Sequence, residues 1–156
     1  MSESTQKVDH AVLKVNQIFI ISLNVLAFVL NQPWLAGLVA AVMLAGTLAG
    51  KAYFGLAARA VFKYKPDVVQ DNPEPHRFSQ GLGGVFMLGG ALSLFSGLAV
   101  LGWSLVWMVA ALAALNAFGG FCVGCFMYYW LARFGVPGFS KNPPAGTLPG
   151  FKPRQG

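Results

Sequence analysis

The two cysteines of this chain, Cys122 and Cys125, lie three residues apart inside an apolar segment, FGGFCVGCFMYYW at 118–130. A thiol pair can form a disulfide, exchange it with other thiols or bind a soft metal ion. On a helix, residues i and i+3 lie on one face, and the flanking glycines permit a kink or a close helix contact. Because the chain has no other cysteines, we interpret the pair as functional, with packing between helices as the alternative.

Lys51 is a second unusual residue, because it lies near the end of another apolar segment. Its ammonium group either reaches the membrane surface along a flexible stem or lies beside Cys125 and stabilises the thiolate there. The second role depends on a weak internal repeat, described below, that aligns GTLAGK at 46–51 with GFCVGC at 120–125.

Four further polar residues are candidate binding groups. His76 and Arg77, in the Pro-rich stretch DNPEPHRFSQ at 71–80, either form a mouth for an anion or a thiol partner or anchor a rigid turn at the membrane surface. Gln80 and Asn16 are predicted to line a shared cavity at the cytoplasmic end of the helices.

A zinc site built from Cys122, Cys125, His10 and His76 is disfavoured. The spacing does not match a known zinc pattern, and we expect the cysteines to lie deeper in the membrane than the histidines. We predict no metal site, and the sequence names no cofactor.

The composition indicates a membrane environment. The chain has 156 residues, of which 56% are hydrophobic and 10% are charged, whereas soluble domains carry about 25% charged residues. The net charge is +6, but Lys and Arg flank apolar segments instead of forming a patch, so a nucleic-acid partner is not expected. The polar N-terminus does not have the pattern of a removable signal peptide.

Four apolar segments are candidate membrane helices, and they cover about 15–30, 34–58, 78–101 and 104–134. A span needs about 20 apolar residues, and helices satisfy their own backbone in lipid. We therefore predict an all-α membrane protein with four transmembrane helices. Its parts are an N-terminal segment at 1–13, a transmembrane domain at 14–134 with a loop at about 59–77, and a flexible Gly/Pro-rich basic tail at 135–156.

The basic residues predict the orientation. All 11 Lys and Arg fall near the N-terminus, in the central stretch or at the C-terminal end, and the two short turns between spans carry none. The positive-inside rule places those three regions in the cytoplasm. We predict a multi-pass protein of the bacterial inner membrane with both termini cytoplasmic.

An internal repeat relates the two predicted hairpins. KVNQ at 14–17 resembles RFSQ at 77–80, and the hairpins end in Ala-Arg at 58–59 and 132–133. Both hairpins start on the same side of the membrane, so the pattern predicts a parallel repeat. Chance similarity between two apolar hairpins is the alternative.

Two motifs resemble a bacterial membrane-protein family, the domain of unknown function numbered forty-three ninety-five. The family's D-x-x-x-P-x-R-F-x-Q pattern falls on Asp71, Pro75, Arg77, Phe78 and Gln80, and its F-C-x-G-C-x-x-Y pattern falls on Phe121, Cys122, Gly124, Cys125 and Tyr128. The resemblance covers about residues 8–134, although His10 stands where the family has a proline after its first Asp. The resemblance implies thioredoxin-like or rhodanese-like partners, and with them thiol redox or sulfur handling.

We therefore predict an integral membrane protein whose Cys122 and Cys125 serve in thiol-disulfide exchange, sulfur relay or sulfur transport with a cytoplasmic partner. Cys125 is the predicted nucleophile and Cys122 the resolving thiol, and a cytosol-facing pair should rest as the dithiol. The alternative is a small accessory or structural subunit of a larger membrane complex, such as an energy-transducing one, with cysteines that only pack. The sequence leaves open whether the chain is an enzyme.

Overall fold

The computed structural model describes residues 6–153. The first five residues of the predicted N-terminal segment and the last three of the predicted tail lie outside the described residues. Within the described part, the elements follow in the order β1 (Gln6–Asp9), α1 (His10–Val29), α2 (Pro33–Ala49), α3 (Tyr53–Val61), β2 (Val68–Asp71), α4 (Pro73–Phe95), α5 (Ala99–Gly119) and α6 (Val123–Arg133).

The helices are consistent with a multi-pass membrane protein. Helices α1, α4 and α5 are each long and apolar enough to cross a membrane, and α2 with α3 would add a fourth span if the pair is counted as one. That pair is bent by 97°, so the second predicted span is not one straight helix. Many large apolar side chains on the helices face outwards, where the hydrocarbon of a bilayer would cover them.

Glycines in the left-handed conformation end two of the helices. Gly50 follows α2 with φ 67°, and Gly120 follows α5 with φ 67°. Glycine adopts this conformation without the clash that a Cβ would cause, which makes it the usual residue after a helix. The fourth predicted span, 104–134, is therefore also interrupted, because α5 ends at Gly119 and α6 begins at Val123.

The N-terminal segment, the central stretch and the tail meet at one end of the bundle, which we call the polar end. Strands β1 and β2 pair antiparallel, with Gln6 opposite Asp71; the sequence analysis did not predict this sheet. The tail is irregular, but Gly150 accepts a backbone hydrogen bond from Cys122 at 2.7 Å. The flexibility of the tail stays a prediction.

The hydrophobic core lies between α1, α2, α4 and α5. Its fully buried members include Ile20, Val39, Met87 and Val106, one from each helix. This core fixes α1, α4 and α5 relative to one another, and their ends at the polar side carry the residues of the candidate site.

Candidate functional site

Cys122 and Cys125 are joined in a disulfide, with their Cα atoms 5.2 Å apart. The structure thus differs from the expected dithiol. Cys122 is not inside a helix but is the N-cap of α6, with extended backbone, and its Sγ accepts the Cys125 N–H at 3.2 Å. Because the chain turns after Gly120, Cys122 Sγ lies over the first turn of α6, where it is bonded to Cys125 Sγ.

Helix α6 approaches α4 closely beside the disulfide. A Cβ added at Gly124 would lie 2.7 Å from Ser79 Cα, a distance that real Cβ atoms do not reach. Cys122 Sγ lies 3.4 Å from Ser79 Oγ. Ser79, which the sequence analysis did not count among the site residues, is therefore the α4 neighbour of the first sulfur.

His76 lies next to the second sulfur, with Nδ1 3.5 Å from Cys125 Sγ. Helix α4 begins at Pro73, inside the stretch predicted as loop, since proline fits the first turn of a helix. His76 is therefore on α4 itself and not in a loop. Helix α6 runs opposite to α4, with Gly124 beside Ser79 and Tyr129 beside Asn72. His76 and Cys125 are therefore at the same level, and the greater depth expected for the cysteines stays a prediction.

Asp71 holds His76 in place. Its Oδ2 lies 2.9 Å from His76 Nε2 and 3.0 Å from His10 Nε2. Burial alone would raise the pKa of Asp71, but the hydrogen bonds with the two histidines outweigh it and hold this pKa well below its usual range. The carboxylate is thus ionised at neutral pH. When His76 Nε2 donates to it, Nδ1 of the neutral ring is an acceptor directed at Cys125.

Asp71 is a second candidate site residue that sequence reasoning missed. The sequence analysis used it only as part of a family pattern. A signal was available: Asp71 is one of 5 acidic residues in the chain, and it precedes a Pro-x-Pro-His segment. What the sequence does not show is that His10, from the start of α1, meets the same carboxylate.

Metal-binding geometry is present in part. One potential ligand atom each from His76, Cys122 and Cys125 lie within 4.8 Å of one another, as do those of His10, Asp71 and His76. The sulfurs, however, are bonded to each other, and only a reduced pair could offer thiolates to a metal. The absence of a metal site stays a prediction.

Lys51 is not brought to the cysteines. It lines a different cavity, of about 330 Å³, together with Lys7, Arg59 and Arg77. No hydrogen bond or ion pair within residues 6–153 joins its ammonium group to a sulfur. His76 occupies the place that the sequence analysis gave to Lys51.

The remaining predicted binding residues stabilise helix contacts. Arg77 donates to the carbonyls of Thr47 and Leu48, the latter at 2.8 Å, and so caps the C-terminus of α2. Gln80 Nε2 donates to Met43 O at 3.1 Å. Asn16 is buried, and its Oδ1 accepts the Gly55 N–H at 3.3 Å, which attaches α3 to α1.

Two cavities meet at Cys122. The polar cavity, of about 390 Å³, contains Asp71, His76, Cys122 and Cys125 in its wall. The apolar cavity, of about 210 Å³, lies between the helices and shares only Gln17, Asn116 and Cys122 with the polar one. Cys122 and Cys125 are themselves only 4% and 3% exposed, so the space beside the disulfide is that of these two cavities.

Comparison with known proteins gives the family and nothing further. No match was found among curated proteins or among solved structures. Residues 8–133 match a family model described as "Domain of unknown function (DUF4395)". The disulfide and its neighbours Asp71, His76 and Ser79 all lie inside the matched range. The chain belongs to the DUF4395 family.

Proposed function

We propose that the chain carries out thiol-disulfide exchange in the membrane, with Cys122 and Cys125 as the redox pair, His76 as the acid–base group and Asp71 as the residue that orients it. The observation that carries the proposal is the continuous contact from Asp71 through His76 to Cys125, with distances of 2.9 and 3.5 Å. A sulfur, a base and a group that orients the base are the parts of an activated nucleophile.

The chemistry starts from the disulfide. A thiol of the substrate enters the polar cavity, gives its proton to His76 Nδ1 and attacks Cys125 Sγ. The bond between the two cysteines breaks, and Cys122 leaves as a thiolate. A second substrate thiol loses its proton to the solvent and attacks the substrate sulfur of the mixed disulfide. Cys125 then leaves and takes the proton from His76, and the substrate departs as a disulfide. In the reverse direction Cys125 is the nucleophile and Cys122 resolves the mixed disulfide.

Each sulfur has its own stabilising group for the charged form. The Cys122 thiolate would lie at the N-terminus of α6, where the Cys125 N–H already donates to it at 3.2 Å. Helix N-termini and neighbouring histidines both favour thiolates. The two sulfurs therefore have different roles. Cys125, beside His76, reacts with the substrate thiol, and Cys122 carries the negative charge of the thiolate.

The proposed partner is a thiol-bearing protein or small thiol on the cytoplasmic side of a bacterial inner membrane, and a thioredoxin-like or rhodanese-like protein fits this description. With a persulfide donor the same site would relay sulfur. The support for the orientation is that the N-terminal segment, the central stretch and the tail meet at the polar end, and these three regions hold most of the basic residues. Both termini then lie in the cytoplasm.

We also propose that the two halves form a parallel repeat. In each half a short strand leads into a long helix, and a second helix ends at a left-handed glycine before a short third helix. The register differs from the sequence-based one, because Gly50 corresponds to Gly120 and not to Gly124. Ala52 then corresponds to Cys122, the two N-caps.

Alkylation kinetics test the proposed function. The reduced protein is treated with iodoacetamide at neutral pH, and modified thiols are followed by mass. His76→Gln should react more slowly than the wild type, by at least about tenfold, because the base is lost. Lys51→Gln is the matched control and should react at the wild-type rate.

Two results would contradict the proposal. If the thiols of His76→Gln and of the wild type were alkylated at equal rates, His76 would not act as the base. Sulfurs that neither dithiothreitol nor iodoacetamide can reach would favour the alternative in which the cysteines only pack, as in an accessory subunit.

A further inference from the structure

The apolar cavity beside Cys122 has no part in the exchange reaction described above. Its wall comes from five helices and includes Ile20, Met43, Phe86 and Val109. Several of its other members, including Leu112 and Met127, are well exposed on the outer surface of the bundle. The cavity therefore opens towards the side that lipid would cover, whereas the polar cavity opens at the polar end.

The polar groups of this cavity are confined to the end that holds the sulfur. On α1, Gln17 precedes Ile20; on α4, Ser79 and Gln80 precede the apolar members; on α5, which runs the other way, Asn116 follows them. An apolar chamber with hydrogen-bonding groups at one end fits an amphiphile whose polar head faces the disulfide.

Two of those amides are available to a ligand. Gln17 and Asn116 line both cavities, and within residues 6–153 neither side chain forms a hydrogen bond. Their N–H groups can donate to oxygens of a bound head group. Because Cys122 lies in the same wall, that head group would be next to the residue whose sulfur leaves as a thiolate.

The compartment makes an oxidant necessary. In a reducing cytoplasm a disulfide that exchanges with thiols is soon reduced, so repeated turnover requires a two-electron acceptor. An acceptor that combines an apolar body, carbonyl oxygens at one end and residence in the bilayer is a membrane quinone.

We propose that the apolar cavity binds a membrane quinone, which re-oxidises the reduced cysteine pair. This inference rests on the proposed function and names its electron acceptor. The electron pair of the Cys122 thiolate forms a bond to a ring carbon, and a π electron pair of the ring moves to a carbonyl oxygen. Cys125, deprotonated by His76, then attacks Cys122 Sγ; the disulfide forms and the carbon–sulfur bond breaks. The quinone takes up two electrons from the sulfurs, one proton from His76 and one proton from the solvent, and leaves as quinol. Gln17 and Asn116 donate hydrogen bonds to its carbonyl oxygens.

The test uses the full chain in detergent, reduced with dithiothreitol that is then removed without air. The probe is a fully substituted benzoquinone with a decyl tail. Re-formation of the disulfide is followed by the loss of maleimide-reactive thiols, and quinone consumption by its ultraviolet absorbance. We expect the disulfide to re-form at least tenfold faster with the quinone than in buffer alone, with one quinone consumed per disulfide formed.

A matched pair of variants assigns the reaction to this cavity. Leu112→Trp places a ring at the cavity wall, whereas Leu115→Trp changes a residue of the same helix that is exposed to a similar degree, 43% against 39%, and lies outside the cavity. Leu112→Trp should slow the quinone reaction about tenfold and leave reduction by dithiothreitol unchanged; Leu115→Trp should change neither.

The outcomes separate the two proposals. If dithiothreitol opens the disulfide but the quinone does not close it faster than buffer alone, this inference is overturned and the exchange function stands. Equal quinone rates for Leu112→Trp and Leu115→Trp also overturn it, because an acyl chain of a lipid would then be the better occupant of the cavity. If dithiothreitol does not open the disulfide, both proposals fail.

Discussion

The two helix breaks of this protein share a backbone design but differ in their side chains. After α2, Gly50 in the left-handed conformation leads through Ala52, an N-cap without a side-chain hydrogen bond, into α3. After α5, Gly120 in the same conformation leads through Cys122, whose sulfur caps α6. The same backbone turn is thus structural in the first half and carries the disulfide in the second. In each half the turn supplies the N-terminus of a short helix. The N-cap residue then decides whether a sulfur lies there, as it does at Cys122 and does not at Ala52.

The carboxylates at the ends of the two strands also differ between the halves, in their burial and in their partners. In the first half, the carboxylate at the end of β1, Asp9, caps α1 and pairs with the exposed Arg59. In the second half, the carboxylate at the end of β2, Asp71, is buried between two histidines. The Asp71 side chain is 5% exposed and belongs to the proposed proton-transfer system, whereas the Asp9 side chain is 16% exposed and serves as a helix cap.

Replacing these two carboxylates should give the largest difference between the halves. Asp71→Asn should lower the free energy of unfolding by about 3 kcal/mol, because a buried charge network loses its centre. Asp9→Asn should cost less than about 1 kcal/mol, because Asn still caps a helix and the lost ion pair is exposed. The measurement is denaturant or thermal unfolding in detergent. A similar loss of unfolding free energy in both variants would mean that the hydrogen bonds of Asp71 contribute no more to stability than those of Asp9.

The pH dependence sharpens this prediction. The pKa of Asp71 is lower in the folded than in the unfolded protein, so the stabilisation by its carboxylate is complete above the ordinary aspartate pKa of about 4. It is lost as the pH falls below that value towards the folded pKa. The difference in unfolding free energy between the wild type and Asp71→Asn should therefore be constant from neutral pH down to about pH 5 and narrow below about pH 4.

Alanine at the glycines of the close helix contacts tests whether packing at the second break controls the reactivity of the thiols. A Cβ at Gly55 would lie 3.0 Å from the carbonyl carbon of Val12, and one at Gly124 would lie 2.7 Å from Ser79 Cα. Alanine at either position should cost about 2 kcal/mol through overpacking. Only Gly124→Ala should also slow the reaction of the reduced thiols with iodoacetamide, since it displaces Cys122 from Ser79.

Gly89→Ala is the control for these variants, because the nearest atom to an added Cβ there is 3.8 Å away. It should leave both stability and thiol reactivity near the wild-type values. Slower alkylation in Gly55→Ala would show that the two breaks are coupled and not independent.

A smaller effect than in Gly55→Ala and Gly124→Ala is expected at the two left-handed glycines. Gly50→Ala and Gly120→Ala should each cost about 1 kcal/mol, because a Cβ disfavours this backbone conformation. Near Gly120 an added Cβ meets no atom within 4 Å, so the loss there should come from backbone strain alone. Equal stability of Gly120→Ala and the wild type in an unfolding titration would contradict the idea that this residue ends α5.

The amino-acid sequence by itself indicated the class of the protein and the positions of its two cysteines along the chain. Low charge and long apolar segments are typical of a helical membrane protein, with which the apolar helices of the structure are consistent. The match to the DUF4395 family confirms the resemblance seen in the two motifs. Cys122 and Cys125 stand out because they are the only thiols. These features depend on composition and on local spacing, which can be read along one chain.

The tertiary structure alone decided where the helices break and what surrounds the sulfurs. The sequence analysis treated 34–58 and 104–134 as continuous, because glycine is common in membrane helices and does not by itself indicate an end. It named Lys51 as the group that could stabilise the thiolate, because helical rise and a repeat were the only available measures of depth. The contact of Asp71, His76 and Cys125 spans 54 residues of chain (125 − 71), and only the packing of α6 against α4 brings them together.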